Sequence, residues 1–100
     1  MVNKGFLQEV RDRLTLSAFL GQYIELRRAG RNYKARCPFH SEKTPSFMVS
    51  DDKQIFHCFG CGAGGDVFSF VMRHQGLSFP EAVELCARHA GLEMPKDFDR

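Results

Sequence analysis

The sequence predicts an α+β fold, an antiparallel sheet of four to five strands with flanking helices at both ends. Three observations predict it. Apolar residues recur at helical spacing near the start of the chain and again after residue 66. Between these stretches the pattern changes to two-residue alternation, interrupted by turn chemistry. Two short cysteine-bearing turns, Cys37-Pro38-Phe39-His40 and Cys58-Phe59-Gly60-Cys61, fall at the ends of alternating segments, as they would at one end of a sheet built from hairpins.

Phe6, Leu7, Val10 and Leu14 line one face of a first helix. A second, short helix runs from Thr15 or Ser17 to about Tyr23 with a hydroxyl cap at its start, against the weakening effect of Gly21. Ile24 to Arg28 then alternates, with Ile24 and Leu26 on one face. Ala29-Gly30-Arg31-Asn32 has turn composition. Tyr33, Ala35 and Cys37 share one face of the returning strand, and Lys34 and Arg36 share the other, so a hairpin is expected over 24–37. A second hairpin pairs Phe47 and Val49 with Gln54–Cys58 across a turn at Ser50-Asp51-Asp52-Lys53.

Gly62-Ala63-Gly64-Gly65-Asp66 breaks the alternation and reads as chain reversal. A phosphate loop would end in Gly-Lys-Ser or Gly-Lys-Thr, and Asp66 at the following helix N-terminus would repel an anion. Asp66 suits the N-cap of a helix carrying Val67, Phe68, Phe70, Val71 and Met72, which Gly76 ends. Ser78-Phe79-Pro80-Glu81 is a capping box with proline in the first turn. The helix after it aligns Phe79, Ala82, Val83, Cys86 and Ala90 and closes at Gly91. The organisation expected is helices over 5–23, the sheet over 24–62, helices over 66–90, and the start of a linker at 96–100.

The chain of 100 residues has room for one domain, and apolar residues make up 43% of it. A core of this size is thin, and small domains often need a metal or disulfides as a staple. No run approaches the ~20 apolar residues that span a bilayer. The start, Met1-Val2-Asn3-Lys4-Gly5-Phe6, lacks the apolar stretch of a signal peptide. A cytoplasmic, reducing location with no membrane association is therefore the expectation, and there cysteines read as metal ligands before disulfides.

Cys37 and His40 form a C-x₂-H turn, Cys58 and Cys61 a C-x₂-C turn, and residues 41–57 between them are enough for a hairpin. Ligands three apart can face one ion across a tight turn, and two such turns complete a tetrahedron around Zn²⁺. Pro38, Gly60 and Gly62 favour such turns. Four protein ligands leave no open coordination position, so the predicted zinc is structural and no catalytic residue is assigned. Three other readings stand beside this one: unrelated turns with buried cysteines, a Cys58–Cys61 redox dithiol without the βαβ context such motifs need, and His57 replacing His40 as ligand. As the strand neighbour of Cys58, His57 should point to the opposite face. Cys86, on the apolar stripe of the last helix, reads as a small core residue. His74 and His89 sit near helix ends, where a cation suits the dipole.

Net charge is only +2, but Arg27, Arg28, Arg31, Lys34, Arg36 and Lys43 fall in a stretch whose one acid is Glu42. Single-stranded nucleic acid is bound by aromatic platforms along a cationic groove. Candidates for such contacts are Tyr33, Lys34, Arg36, Lys43, Phe47, Lys53, Phe56 and Phe59, with Phe39 beside them. The plainer reading is that these aromatics form core and the charges a solvated face.

The run RNYKARCPFHSEKTPSFMVSDDKQIFHCFGCGAGGDVFSFVM, residues 31–72, resembles the N-terminal zinc-binding domain of bacterial DnaG-type DNA primases. The segments CPFHSEKTPSF and HCFGCGAGGD carry the resemblance most specifically, and it extends from the first helix to about Pro95. It implies a zinc ribbon with flanking helices, with zinc on Cys37, His40, Cys58 and Cys61. It also implies a module that recognises single-stranded DNA template and assists RNA primer synthesis in replication. The nucleotidyl transfer would belong to a separate Mg²⁺-binding polymerase domain, absent from these 100 residues, so the chain alone should be inactive. Implied partners are template DNA, the primase polymerase domain in cis or trans, and replisome components including the replicative helicase through the full-length protein. Gly5-Phe6-Leu7 departs from the Ile-Pro start common in that family, and Thr15–Leu20 is less acidic and less branched than its second helix. Two alternatives remain: a protein-interaction ribbon docking on the polymerase domain, and a stand-alone protein of a mobile element or virus.

Overall fold

The computed structural model describes residues 4–39 and 45–95. Chain order is α1 (Lys4–Arg13), α2 (Leu16–Leu20), β1 (Arg27–Ala29), β2 (Asn32–Ala35), β3 (Phe47–Ser50), β4 (Ile55–Cys58), β5 (Gly64–Gly65), α3 (Val67–Gln75) and α4 (Phe79–His89). The five strands form one sheet in the order β1-β2-β3-β4-β5, every pair antiparallel. Among the described residues no helix is long and apolar enough to cross a membrane.

Period-two alternation decides which side of the sheet each residue faces. Ala35, Phe47, Val49, Phe56 and Cys58 are buried, while Lys34 and His57 are exposed. The helices cover the inner face. Phe70 of α3 enters a cage of Phe39, Phe47 and Phe56, with ring centroids 5.6, 6.2 and 5.7 Å away. Such offset and edge-on pairs add to the burial of large rings. Helix α4 packs on α3 and α1, turning Ala82, Val83, Cys86 and Ala87 inward. Burial pushes the Cys86 thiol up to about 12, consistent with a core residue.

The helix ends follow their sequence signals in α3 and α4. Asp66 caps α3 by accepting from Ser69 N–H at 3.0 Å, and Gly76 closes it in the left-handed conformation. Ser78 and Glu81 form the reciprocal capping box of α4. Helix α2 differs. The hydroxyl of Thr15 makes no cap bond. Asp51, in the β3–β4 turn, accepts instead from Ser17 N–H at 2.8 Å and from Ser17 Oγ–H at 2.7 Å. The helix ends at Leu20 rather than Tyr23, followed by turn residues 21–23.

Two strand boundaries also differ from expectation. The first strand begins at Arg27, not Ile24, because Ile24 N–H still bonds to Leu20 O at 3.0 Å in the turn that ends α2. The glycine segment is not only a reversal: Gly64–Gly65 pairs with Phe56–His57 as the fifth strand. Gly65 has φ +146, and a Cβ there would stand 2.6 Å from Ser69, so its lack of a side chain lets β5 lie against α3. Residues 96–100, expected to begin a linker, lie outside the described residues.

Candidate functional site

Cys58 ends β4, Cys61 follows in the next turn, and Cys37 lies just beyond β2. Register brings them together: Ala35 pairs with Phe47 and Phe47 with Cys58, so β2 and β4 reach the same end of the sheet across β3. Tight backbone bonds fold the second turn. Gly62 N–H donates to Cys58 O at 2.8 Å, Cys58 N–H to Ala63 O at 2.7 Å, and Gly62 takes φ +81, which glycine accepts without strain. Phe39 N–H points at Cys37 Sγ at 3.4 Å in the first turn.

The Sγ atoms of Cys37, Cys58 and Cys61 all lie within 4.8 Å of one another. Cys37 Sγ and Cys61 Sγ are 3.8 Å apart. A disulfide would bring two sulfurs to about 2.05 Å. Zn–S bonds of about 2.3 Å make the edge of a tetrahedron about 3.8 Å, so the observed spacing fits thiolates sharing a zinc ion. Burial, with Cys58 and Cys61 alongside, pushes the Cys37 thiol up to about 12, against the opposing pull of Phe39 N–H. A dication at the centre supplies the positive charge that lets such buried sulfurs ionise. Among the described residues, only these three cysteines group in this way. His40 lies outside the described residues. His57 is exposed on the face opposite the buried Cys58, away from the sulfurs.

The predicted aromatic platform divides. Phe47 and Phe56 are fully buried and stack on each other at 5.2 Å inside the core, so neither offers a ring face to a base. Phe39 is half-buried in the same cage, with the Arg73 guanidinium 5.0 Å above its ring. Tyr33 is half-buried, 5.8 Å from the Arg28 guanidinium. Phe59 alone of the set is open, at 73% exposure. Lys34 and Arg36 are exposed beyond the outer sheet face, and Lys53 is exposed in the β3–β4 turn. Lys43 lies outside the described residues.

Register adds Met48 and Gly64 to the outer face and aligns them with residues the sequence had already named. Arg27 pairs with Lys34, Lys34 with Met48, Met48 with His57 and His57 with Gly64, forming one row across all five strands. The alternation that set His57 opposite Cys58, carried on along the strand, would also have found Phe59 on the outside and Phe56 on the inside.

Residues 2–100 match the family model described as the CHC2 zinc finger. The chain is 48% identical over 100 residues to a DNA primase of Pseudomonas putida, covering all of this chain and 15% of that protein. It is 50% identical over 97 residues to a DNA primase of Listeria monocytogenes, covering 93% of this chain and 16% of that protein. A crystal structure of the Aquifex aeolicus primase, comprising its zinc-binding and RNA polymerase domains, superposes with a TM-score of 0.88 at 38% identity. That match covers 95% of this chain and 24% of the other. The chain thus spans about one-sixth of the length of these curated relatives.

Proposed function

Because the chain belongs to the CHC2 zinc-finger family, we propose that it is the zinc-stabilised template-recognition module of a bacterial DNA primase. In this reading residues 1–95 form the module, and 96–100 lead toward a polymerase domain that carries Mg²⁺ and joins ribonucleotides. Cys37, Cys58 and Cys61 hold one structural zinc, and His40, three residues after Cys37, is its fourth ligand. The ion closes the end of the sheet and performs no chemical step.

The observation that carries template recognition is the solvent face of the sheet. Arg27, Lys34 and Arg36 crowd one side of it and the open ring of Phe59 stands on the other. Lys53, exposed in the β3–β4 turn, adds to this charge, and Lys43 is a further candidate by sequence. This is the pairing of cation and ring that single-strand binders use. The partner is single-stranded DNA, engaged together with the polymerase domain in cis or trans, and reached through the full-length primase by replisome components such as the helicase.

Binding of a single-stranded oligonucleotide by the zinc-loaded chain should weaken steeply with salt. Neutralising Lys34 and Arg36 together should flatten the log–log slope by about 1.4, at about 0.7 for each phosphate no longer paired with a cation. Affinity indifferent to salt up to 300 mM would overturn the reading.

One feature supports a docking role on the same face. Ile55 is 43% exposed, an apolar group with no use for phosphate. If this face docks on the polymerase domain, Ile55→Ser in the full-length primase will lower primer synthesis while DNA binding stays intact.

A further inference from the structure

We infer that the sheet grips a strand in two unlike places, its backbone in a groove that wraps the β1 edge and one base against the Phe59–His57 corner of the outer face. The inference rests on the template reading above and assigns to it residues beyond the lysine and arginine pair.

A groove of about 810 Å³ runs beside β1, the edge strand of the sheet. Among the described residues, Arg27, Arg28, Lys34 and Arg36 line it, against the single acid Glu25. Among the described residues its remaining lining is aliphatic or proline, with no aromatic ring. Such a groove has charge for phosphates and nothing on which a base can stack. Arg28 is already oriented, its Nε–H donating to Gly30 O at 3.0 Å. A guanidinium fixed in this way loses less freedom on meeting a phosphate.

The far side of the face is the reverse. Phe59 is exposed, and His57 meets it edge-on with ring centroids 4.6 Å apart at 70°. Gly64 pairs with His57 across the β4–β5 ladder. A Cβ on Gly64 would lie 3.2 Å from His57 Nδ1 and 3.1 Å from Phe56 O, so the bare glycine gives the imidazole its place over β5. The result is a braced ring with an open face.

The row Arg27–Lys34–Met48–His57 joins the two places. It crosses three strand spacings, about 14 Å. That length accommodates about four nucleotides at the ~3.4 Å stacked rise, fewer if the strand is extended. An acidic peptide would be satisfied by the groove alone. Continuity from four cations to an exposed ring favours a polymer that carries both phosphate and base.

The test is fluorescence anisotropy with labelled oligodeoxythymidylates of increasing length and the zinc-loaded chain, from 50 to 300 mM salt. Arg27→Gln with Arg28→Gln should reduce the salt slope by about 1.4, for two phosphate contacts. Phe59→Ala should weaken binding roughly 5- to 150-fold at every salt concentration without altering the slope. Phe59→Tyr should restore affinity and Phe59→Leu should not, a split that simple apolar burial would not produce. Zinc content and circular dichroism of each variant confirm that the fold is intact. An unchanged slope in the arginine pair, or full rescue by leucine, overturns the inference while leaving template binding in place. Equal competition by polyglutamate also overturns it, in favour of an acidic protein partner. No binding by the unaltered chain removes the template reading and this inference together.

Discussion

Sequence alone gives Asp51 only a place in a turn, yet its carboxylate closes the start of α2 through both the N–H and the hydroxyl of Ser17. Nothing local announces this bond, because the partners lie 34 residues apart and meet only when the β3–β4 turn folds over the helix. The capping box of Ser78 and Glu81 was legible because its partners lie within one helical turn. Asp51→Ala should cost about 1 kcal/mol, the usual effect of removing an N-cap acceptor, and should lower the urea midpoint. An unchanged midpoint would show that the contact contributes nothing. Glu81 gives a pH signature. The Ser78 N–H bond holds its carboxyl below the ordinary glutamate value. A depressed folded pKa means that the contribution is present above the unfolded pKa and disappears as pH falls through the folded one. Glu81→Gln should therefore melt below the native chain at neutral pH, with the gap closing on acidification. A gap independent of pH would contradict this.

Elements were legible where a pattern repeats locally. Alternation placed Lys34 and Arg36 outside and Ala35 and Cys37 inside, as the structure has them. It overextended β1, because Ile24 and Leu26 alternate but the Ile24 N–H belongs to the turn after α2. It missed β5, since two glycines have no strand preference and the pairing is imposed by the cysteine turn before them. It also left the aromatic residues unsorted. Phe47 and Phe56 look like a binding stripe by composition, but register with the inward cysteines sends them to the core. The tightest point among the elements is Gly65, between β5 and α3. Gly65→Ala should destabilise the fold by about 1–3 kcal/mol, through both the clash with Ser69 and the positive φ. The same substitution at Gly30, where a Cβ would meet nothing within 4 Å, would have only the positive φ to oppose it. Equal losses at the two sites, read by thermal melting, would contradict the close packing of β5.

At the scale of the whole molecule, the cysteine end of the sheet and the helical core are mechanically one. Phe39 sits in the first cysteine turn and its ring packs on Phe47, Phe56 and Phe70. Release of that turn would open the core cage. Zinc-driven folding in small peptides is worth on the order of 10 kcal/mol, comparable to the whole stability of a domain this size. Metal loss should therefore unfold the sheet rather than loosen one turn. The ligand spacing was legible because two short motifs carry it. The convergence of the three sulfurs was legible as well, because both turns end alternating segments, and β2 and β4 do reach the same end of the sheet across β3. The most direct measurement is native mass spectrometry of the chain before and after chelation, with circular dichroism on the same samples. One zinc per chain, lost together with the sheet signal, is the predicted result. A metal-free chain with an unchanged spectrum and melting transition would contradict the account at its centre.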